Sequence, residues 1–158
     1  MVDVRDKKVE TNNSNESSNI YILAGLYNFS IIIFSKGFSN ELLDKYDREH
    51  FNLNCVISIL LWGLAYISVY NRYKQVSELN FVFAIEKFYY VYIWINWMKL
   101  NHMNLSTMIN EDLLTGLFFS IYGVGDLLFG LFFLYNSYSN CSDVCSGEDK
   151  KENISKNK

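Results

Sequence analysis

Residues 51–71 read FNLNCVISILLWGLAYISVYN, a stretch with no Asp, Glu, Lys, Arg or His. At about 1.5 Å of rise per residue, an α-helix of this length covers about 31 Å, close to the hydrocarbon thickness of a bilayer. Residues 55–70 place apolar side chains on every side, without a polar stripe at helical period. A helix that is apolar all round lies inside a large protein or in lipid, and this chain has only 158 residues. Moving outward, residues 20–35 (IYILAGLYNFSIIIFS) are also free of charge, and 113–135 are interrupted by one acid, Asp126. Residues 80–98 hold Glu86 and Lys87 among Phe, Tyr, Ile, Val and Trp. The pattern predicts an all-α fold, a four-transmembrane-helix bundle with helices at about 20–36, 52–71, 80–99 and 113–135. A soluble helical bundle would need polar stripes that 55–70 lack.

The composition conceals this pattern. Half of the residues are hydrophobic and 20% are charged, so the mean hydropathy is near zero. The charges concentrate in two polar tails, 1–19 and 137–158, which flank the membrane domain at 20–136. Both tails are rich in Asn, Ser, Lys and Glu and are expected to be disordered. Aromatic residues reach 17% and proline is absent, which excludes collagenous and proline-rich classes. A net charge of −3 offers no basic footprint, so no nucleic-acid partner is expected. The first apolar run follows an acidic and polar leader rather than a short basic one, so the first helix is expected to be retained in the mature chain.

Lysine and arginine counts in the short flanking segments set the orientation. The N-terminal tail, the second loop and the C-terminal tail share one side if the helix number is even. They carry nine such residues, against four in loops one and three. A multi-pass protein with both termini in the cytoplasm follows.

An ionisable residue at membrane depth is expensive and usually faces the bundle interior with a partner. Glu86 and Lys87 fall about 9 and 10 Å inside a helix that starts near Asn80, and Asp126 about 14 Å from the same face. Asn28 and Trp62 fall about 12 Å deep by the same arithmetic. Together with Tyr122, these residues form a predicted interior polar layer. Adjacent helical residues sit about 100° apart, so Glu86 and Lys87 are not expected to share a seam. Glu86, Tyr90, Trp94 and Trp97 follow one stripe, and Tyr122 shares a face with Asp126. Gly116, Ser120 and Gly123 offer a small-residue strip for a neighbouring helix. Two readings stay open. In one, Lys87 pairs with Asp126 or snorkels to the interface, and the layer only sets helix register. In the other, Asn28, Trp62, Glu86, Tyr90, Trp94, Tyr122 and Asp126 line a cavity for a small apolar or cationic ligand, where raised carboxyl pKa values would suit proton transfer.

Loop one reads as a short interfacial helix with Ser39 as N-cap and Glu41 in its first turn. Asp44, Asp47 and His50 would share an arc, but a solvated charged face explains them as well as a metal site does, and no metal is assigned. Cys55 is expected to pack as a small hydrophobe, and the juxtamembrane Cys141 and Cys145 would suit S-palmitoylation. No nucleotide loop, nucleophile elbow or zinc motif is present, so no cofactor is expected.

The strings FSKGFSN (34–40), WGLAY (62–66), EKFYYVYIW (86–94) and YGVGDLLFGLFF (122–133) resemble those of small, mostly bacterial four-helix membrane proteins without assigned activity. In layout the chain is also similar to DoxX-like and EXPERA-type membrane domains, some of which isomerise sterols with buried acids. The resemblance covers about 20–136, carries no catalytic position over, and favours a ligand cavity. The expected partners are the lipid bilayer, a small lipid-like ligand, and a second copy or another membrane protein. The alternative function is that of a non-catalytic assembly or accessory subunit, and transport ranks behind both.

Overall fold

The computed structural model describes the backbone of residues 4–156 and the side chains of residues 17–139. Among the described residues every regular element is helical and no strand occurs. In order these are α1 (Val4–Phe29), α2 (Ile31–Phe34), α3 (Glu41–Tyr46), α4 (Arg48–Phe51), α5 (Leu53–Val69), α6 (Ser77–Asn101), α7 (Leu105–Glu111) and α8 (Leu113–Lys156). Short 3-10 turns occupy Tyr73–Gln75 and His102–Asn104.

The helices differ in extent from those expected. The described parts of both tails, 4–19 and 137–156, are helical in backbone where composition predicts disorder. Extension of an existing helix needs no new nucleus, and no proline stops either one. The first apolar helix is interrupted at Ser30, whose hydroxyl donates to Tyr27 O at 2.6 Å and thereby competes with the helical ladder. Two helical stretches, Ser17–Phe34 and Leu113–Ser139, are long and apolar enough to cross a membrane by length and composition, whereas α5 is apolar but has 17 residues.

The chain divides into two compact units, Met1–Asn71 with Thr107–Phe118, and Arg72–Ser106 with Phe119–Lys158. In the first, α1 and α5 pack antiparallel. A Cβ on Gly25 would lie 2.8 Å from Gly63 O, and one on Gly63 would lie 3.1 Å from Gly25 O. The two backbones touch because neither residue has a side chain. On one side of this crossing Ser18 Oγ donates to Tyr70 O at 2.6 Å, and on the other Asn28 Nδ2 donates to Ile59 O at 2.9 Å.

Loop one also belongs to the first unit. Lys36, Gly37 and Phe38 adopt φ values of 50°, 66° and 72°, a left-handed turn that only glycine accepts freely. The N-cap of α3 is Asn40 rather than Ser39: the Asn40 side chain accepts from Leu42 N at 3.2 Å. Its amide also donates to Phe34 O at 2.7 Å and to Thr115 Oγ1 at 2.9 Å. Asn has both a donor and an acceptor, so it can cap α3 and reach α8 at once, which a Ser39 hydroxyl would not do at that position. Asp112 caps α8 by accepting from Thr115 N at 3.1 Å, and pairs with Lys36 Nζ at 2.9 Å. The Thr115 hydroxyl and then Lys36 hold the Asp112 carboxyl below the usual aspartate range. Nearby, the Tyr46 hydroxyl and then Lys45 hold Glu111 below its usual range.

In the second unit α6 and the later part of α8 also run antiparallel. Ser137 Oγ donates to Ser77 O at 2.9 Å, and Phe83 meets Phe133 at 5.4 Å between ring centroids. Gly130 faces Lys87, whose Cβ would be 3.2 Å from an added Cβ there, and Gly123 lies directly against the Trp94 ring. At the far end Trp97 stacks on Phe119 at 4.3 Å and 16°.

Candidate functional site

Lys87, Asp126 and Glu86 gather in the interior of the second unit. Lys87 Nζ donates to Asp126 Oδ1 at 2.7 Å and lies 3.9 Å from Glu86 Oε2. The three residues are 2%, 5% and 8% exposed. Because α6 begins at Ser77 rather than Asn80, Glu86 and Lys87 lie about 14 and 15 Å along it, one turn deeper than the sequence suggests. Gly130 lies close to the pair. Its missing side chain lets α8 approach the Lys87 stem, one helical turn from Asp126.

Glu86 and Lys87 are expected in different seams, yet Lys87 Nζ reaches within 3.9 Å of Glu86 Oε2. Both side chains are buried, because four methylenes let the lysine head swing back over the gap. One ammonium thus sits beside two carboxylates, a formal charge of −1 when all three are ionised.

The aromatic residues of the predicted wall are held mainly by α8. Trp94 Nε1 donates to Phe119 O at 2.8 Å. The Trp94 ring meets Tyr122 edge-on at 6.5 Å, and Tyr122 in turn meets Phe119 at 6.3 Å. Tyr90 is half-buried with its ring 5.9 Å from that of Tyr89. Trp97 is buried on the same stripe. Asn28 and Trp62 belong to the first unit. Asn28 is spent on the Ile59 carbonyl, and Trp62 stacks on Tyr66, its neighbour one turn along, at 6.5 Å and 28°.

The small-residue strip of the last helix divides as well. Gly116 accommodates Ile109 of α7, and Gly123 accommodates Trp94 of α6. Asn80, missed in the sequence, is fully buried and donates to Tyr73 O at 3.0 Å, closing the turn before α6. An asparagine at the edge of an apolar run was its only signal. Gly25 and Gly63 were missed too, although both interrupt runs of large apolar residues.

The arc of Asp44, Asp47 and His50 does not form. The backbone leaves the helical region at Asp47, with φ −155° and ψ 75°, so α3 ends and α4 starts afresh. Asp44 then sits 3.7 Å from Arg48 Nε, while Asp47 Oδ1 lies 2.8 Å from His50 Nδ1. Among the described residues no group of three or more His, Cys, Asp or Glu is placed to hold a metal ion. Cys55 is half-buried with Sγ 3.5 Å from Glu49 O. The side chains of Cys141 and Cys145 lie outside the described residues.

The chain matches no protein-family model, no curated protein and no solved structure.

Proposed function

We propose that the protein is a multi-pass integral membrane protein with four spans, whose buried polar residues hold paired helices in register as part of a non-catalytic membrane subunit. One observation carries this reading: the polarity of the molecule is inverted. Lys87, Asp126, Glu86, Asn80, Asn28 and Thr115 are buried. Leu53, Ile57, Leu61 and Leu64 of α5, by contrast, are 44–60% exposed. Phe81, Ile85, Tyr89 and Tyr92 of α6 are 50–64% exposed, and Leu117, Ile121, Val124 and Leu128 of α8 are 42–64% exposed. Each set recurs every three or four residues, so it forms a continuous apolar face along its helix. Soluble monomers do not present such faces on successive helices. Lipid as solvent accounts for both halves of the inversion.

The same reasoning supports α5 and α6 as the second and third spans. The 17 residues of α5 cover about 25 Å, and the aromatic-rich α6 with 25 residues covers about 37 Å. Within α6, Lys87 is paired with Asp126 and Glu86 lies 3.9 Å from the same ammonium, so both groups are buried instead of facing lipid. The Lys and Arg distribution favours cytoplasmic termini. A DoxX-like or EXPERA-like relationship enters this proposal only as a shared layout.

A second reading, binding of a small cationic ligand, draws support from the excess carboxylate beside Lys87. Trp94 bonded to Phe119 O and Lys87 bonded to Asp126 weigh toward packing. Alkaline carbonate treatment of membranes tests the main proposal: the protein should stay in the pellet, and release to the supernatant would overturn it. Native mass spectrometry of the detergent-purified chain separates the two readings. A stoichiometric small molecule lost on Glu86→Gln would favour the ligand reading.

A further inference from the structure

A groove of about 400 Å³ lies in the first unit, between loop one and the start of α5. Leu43, Phe51 and Val56 form its buried apolar floor, and Phe38 and Leu53, both about half exposed, stand at its sides. Glu41 and Asp44 supply the only charges among its lining residues. The volume lies in the range of small-ligand sites, and the lining combines negative charge with aromatic and aliphatic surface.

We infer that this groove binds the headgroup of a bilayer lipid bearing an ammonium, of the phosphatidylethanolamine class. The inference rests on the membrane reading above. Charge complementarity is the first argument: two carboxylates and no lysine or arginine line the groove, so a cation is favoured and an anion disfavoured. Asp44 is only weakly engaged by Arg48, at 3.7 Å with the arginine side chain 83% exposed. That leaves the carboxylate available for an ammonium. Phe38 adds an aromatic ring at the side of the groove, a favourable neighbour for an alkylammonium.

Continuity is the second argument. Leu53 lines the groove and also begins the exposed face of α5 that continues through Ile57, Leu61 and Leu64. A lipid with its head in the groove therefore has an apolar track for its chains. A free ethanolamine phosphate would use the groove and leave the track empty.

The test titrates the full chain, in neutral detergent, with phosphatidylethanolamine or phosphatidylglycerol and reads bound lipid by native mass spectrometry. Phosphatidylethanolamine should bind more tightly. The Glu41→Gln/Asp44→Asn variant should lose about tenfold in that affinity, the equivalent of one charge-assisted contact, with phosphatidylglycerol binding unchanged. Phe38→Gly should weaken binding as well, and glycine accepts the positive φ there, so this variant keeps the fold. Equal binding of the two lipids, or unchanged phosphatidylethanolamine affinity in both variants, overturns the inference. Soluble ethanolamine phosphate that binds as tightly as the lipid also overturns it. Carbonate extraction asks the separate question: a released protein sinks the membrane reading, whatever the lipid titration gives.

Discussion

Lys87 of α6 and Asp126 of α8 meet at 2.7 Å where both residues are almost fully removed from solvent. A buried pair of this kind adds little net stability over an apolar pair of the same shape, but losing one partner strands a charge.

Asp126→Asn is therefore expected to lower stability, by up to about 3–5 kcal/mol. Lys87→Met should be worse, because it leaves two buried carboxyl groups, Glu86 and Asp126, without the cation they share. Adding Glu86→Gln and Asp126→Asn to Lys87→Met should recover most of the loss. Thermal unfolding in detergent measures all of these, and a triple variant no more stable than Lys87→Met would refute the account.

Gly25→Ala and Gly37→Ala should both destabilise, for different reasons. The first drives a methyl to 2.8 Å from Gly63 O, a backbone atom that cannot rotate away, at a cost of about 1–3 kcal/mol. The second meets nothing within 4 Å but sits at φ +66°, which costs about 1–2 kcal/mol in backbone strain. Spin-label distances between α1 and α5 should increase for Gly25→Ala and stay constant for Gly37→Ala.

These glycines also show how far the sequence could be read. The apolar run at 51–71, the acid at 126 and the Glu-Lys pair at 86–87 carried the helical class and three of the four long helices to within about three residues at most ends. Charges inside otherwise apolar runs drew attention to Lys87 and Asp126, and the two side chains meet at 2.7 Å. What escaped depends on three-dimensional neighbours. Gly25 and Gly63 matter because they face each other across 38 residues of chain, and Asn40 outranks Ser39 as a cap because Thr115 lies within its reach. The arc of Asp44, Asp47 and His50 was lost for a local reason: Asp47 ends one helix and caps the next, a break that helical spacing alone does not register.

The start of α8 should be acid-sensitive. Asp112 has its carboxyl held below the usual aspartate range by Thr115 and Lys36. A lowered folded value means that the stabilisation is complete above the ordinary aspartate pKa, about 4, and is lost as pH falls through the folded value. Protection of the Thr115 amide against hydrogen exchange, relative to its intrinsic rate, should fall below that pH. Asp112→Ala should show the reduced protection already at neutral pH, with no further acid step.

Orientation is open to labelling. With Cys55, Cys141 and Cys145 replaced by Ser, a cysteine at Lys45 should react with an impermeant maleimide on intact cells, and one at Ser146 only after permeabilisation. The opposite pattern would invert the topology.

The crossing of Gly25 with Gly63 bears on how the chain is made. Ser18 with Tyr70, Gly25 with Gly63, and Asn28 with Ile59 all join residues that precede α6. During synthesis every partner in this helical hairpin has emerged before α6 begins. The first two helices can thus form as a finished pair, their polar groups already answered, and offer later segments a formed surface on which to assemble.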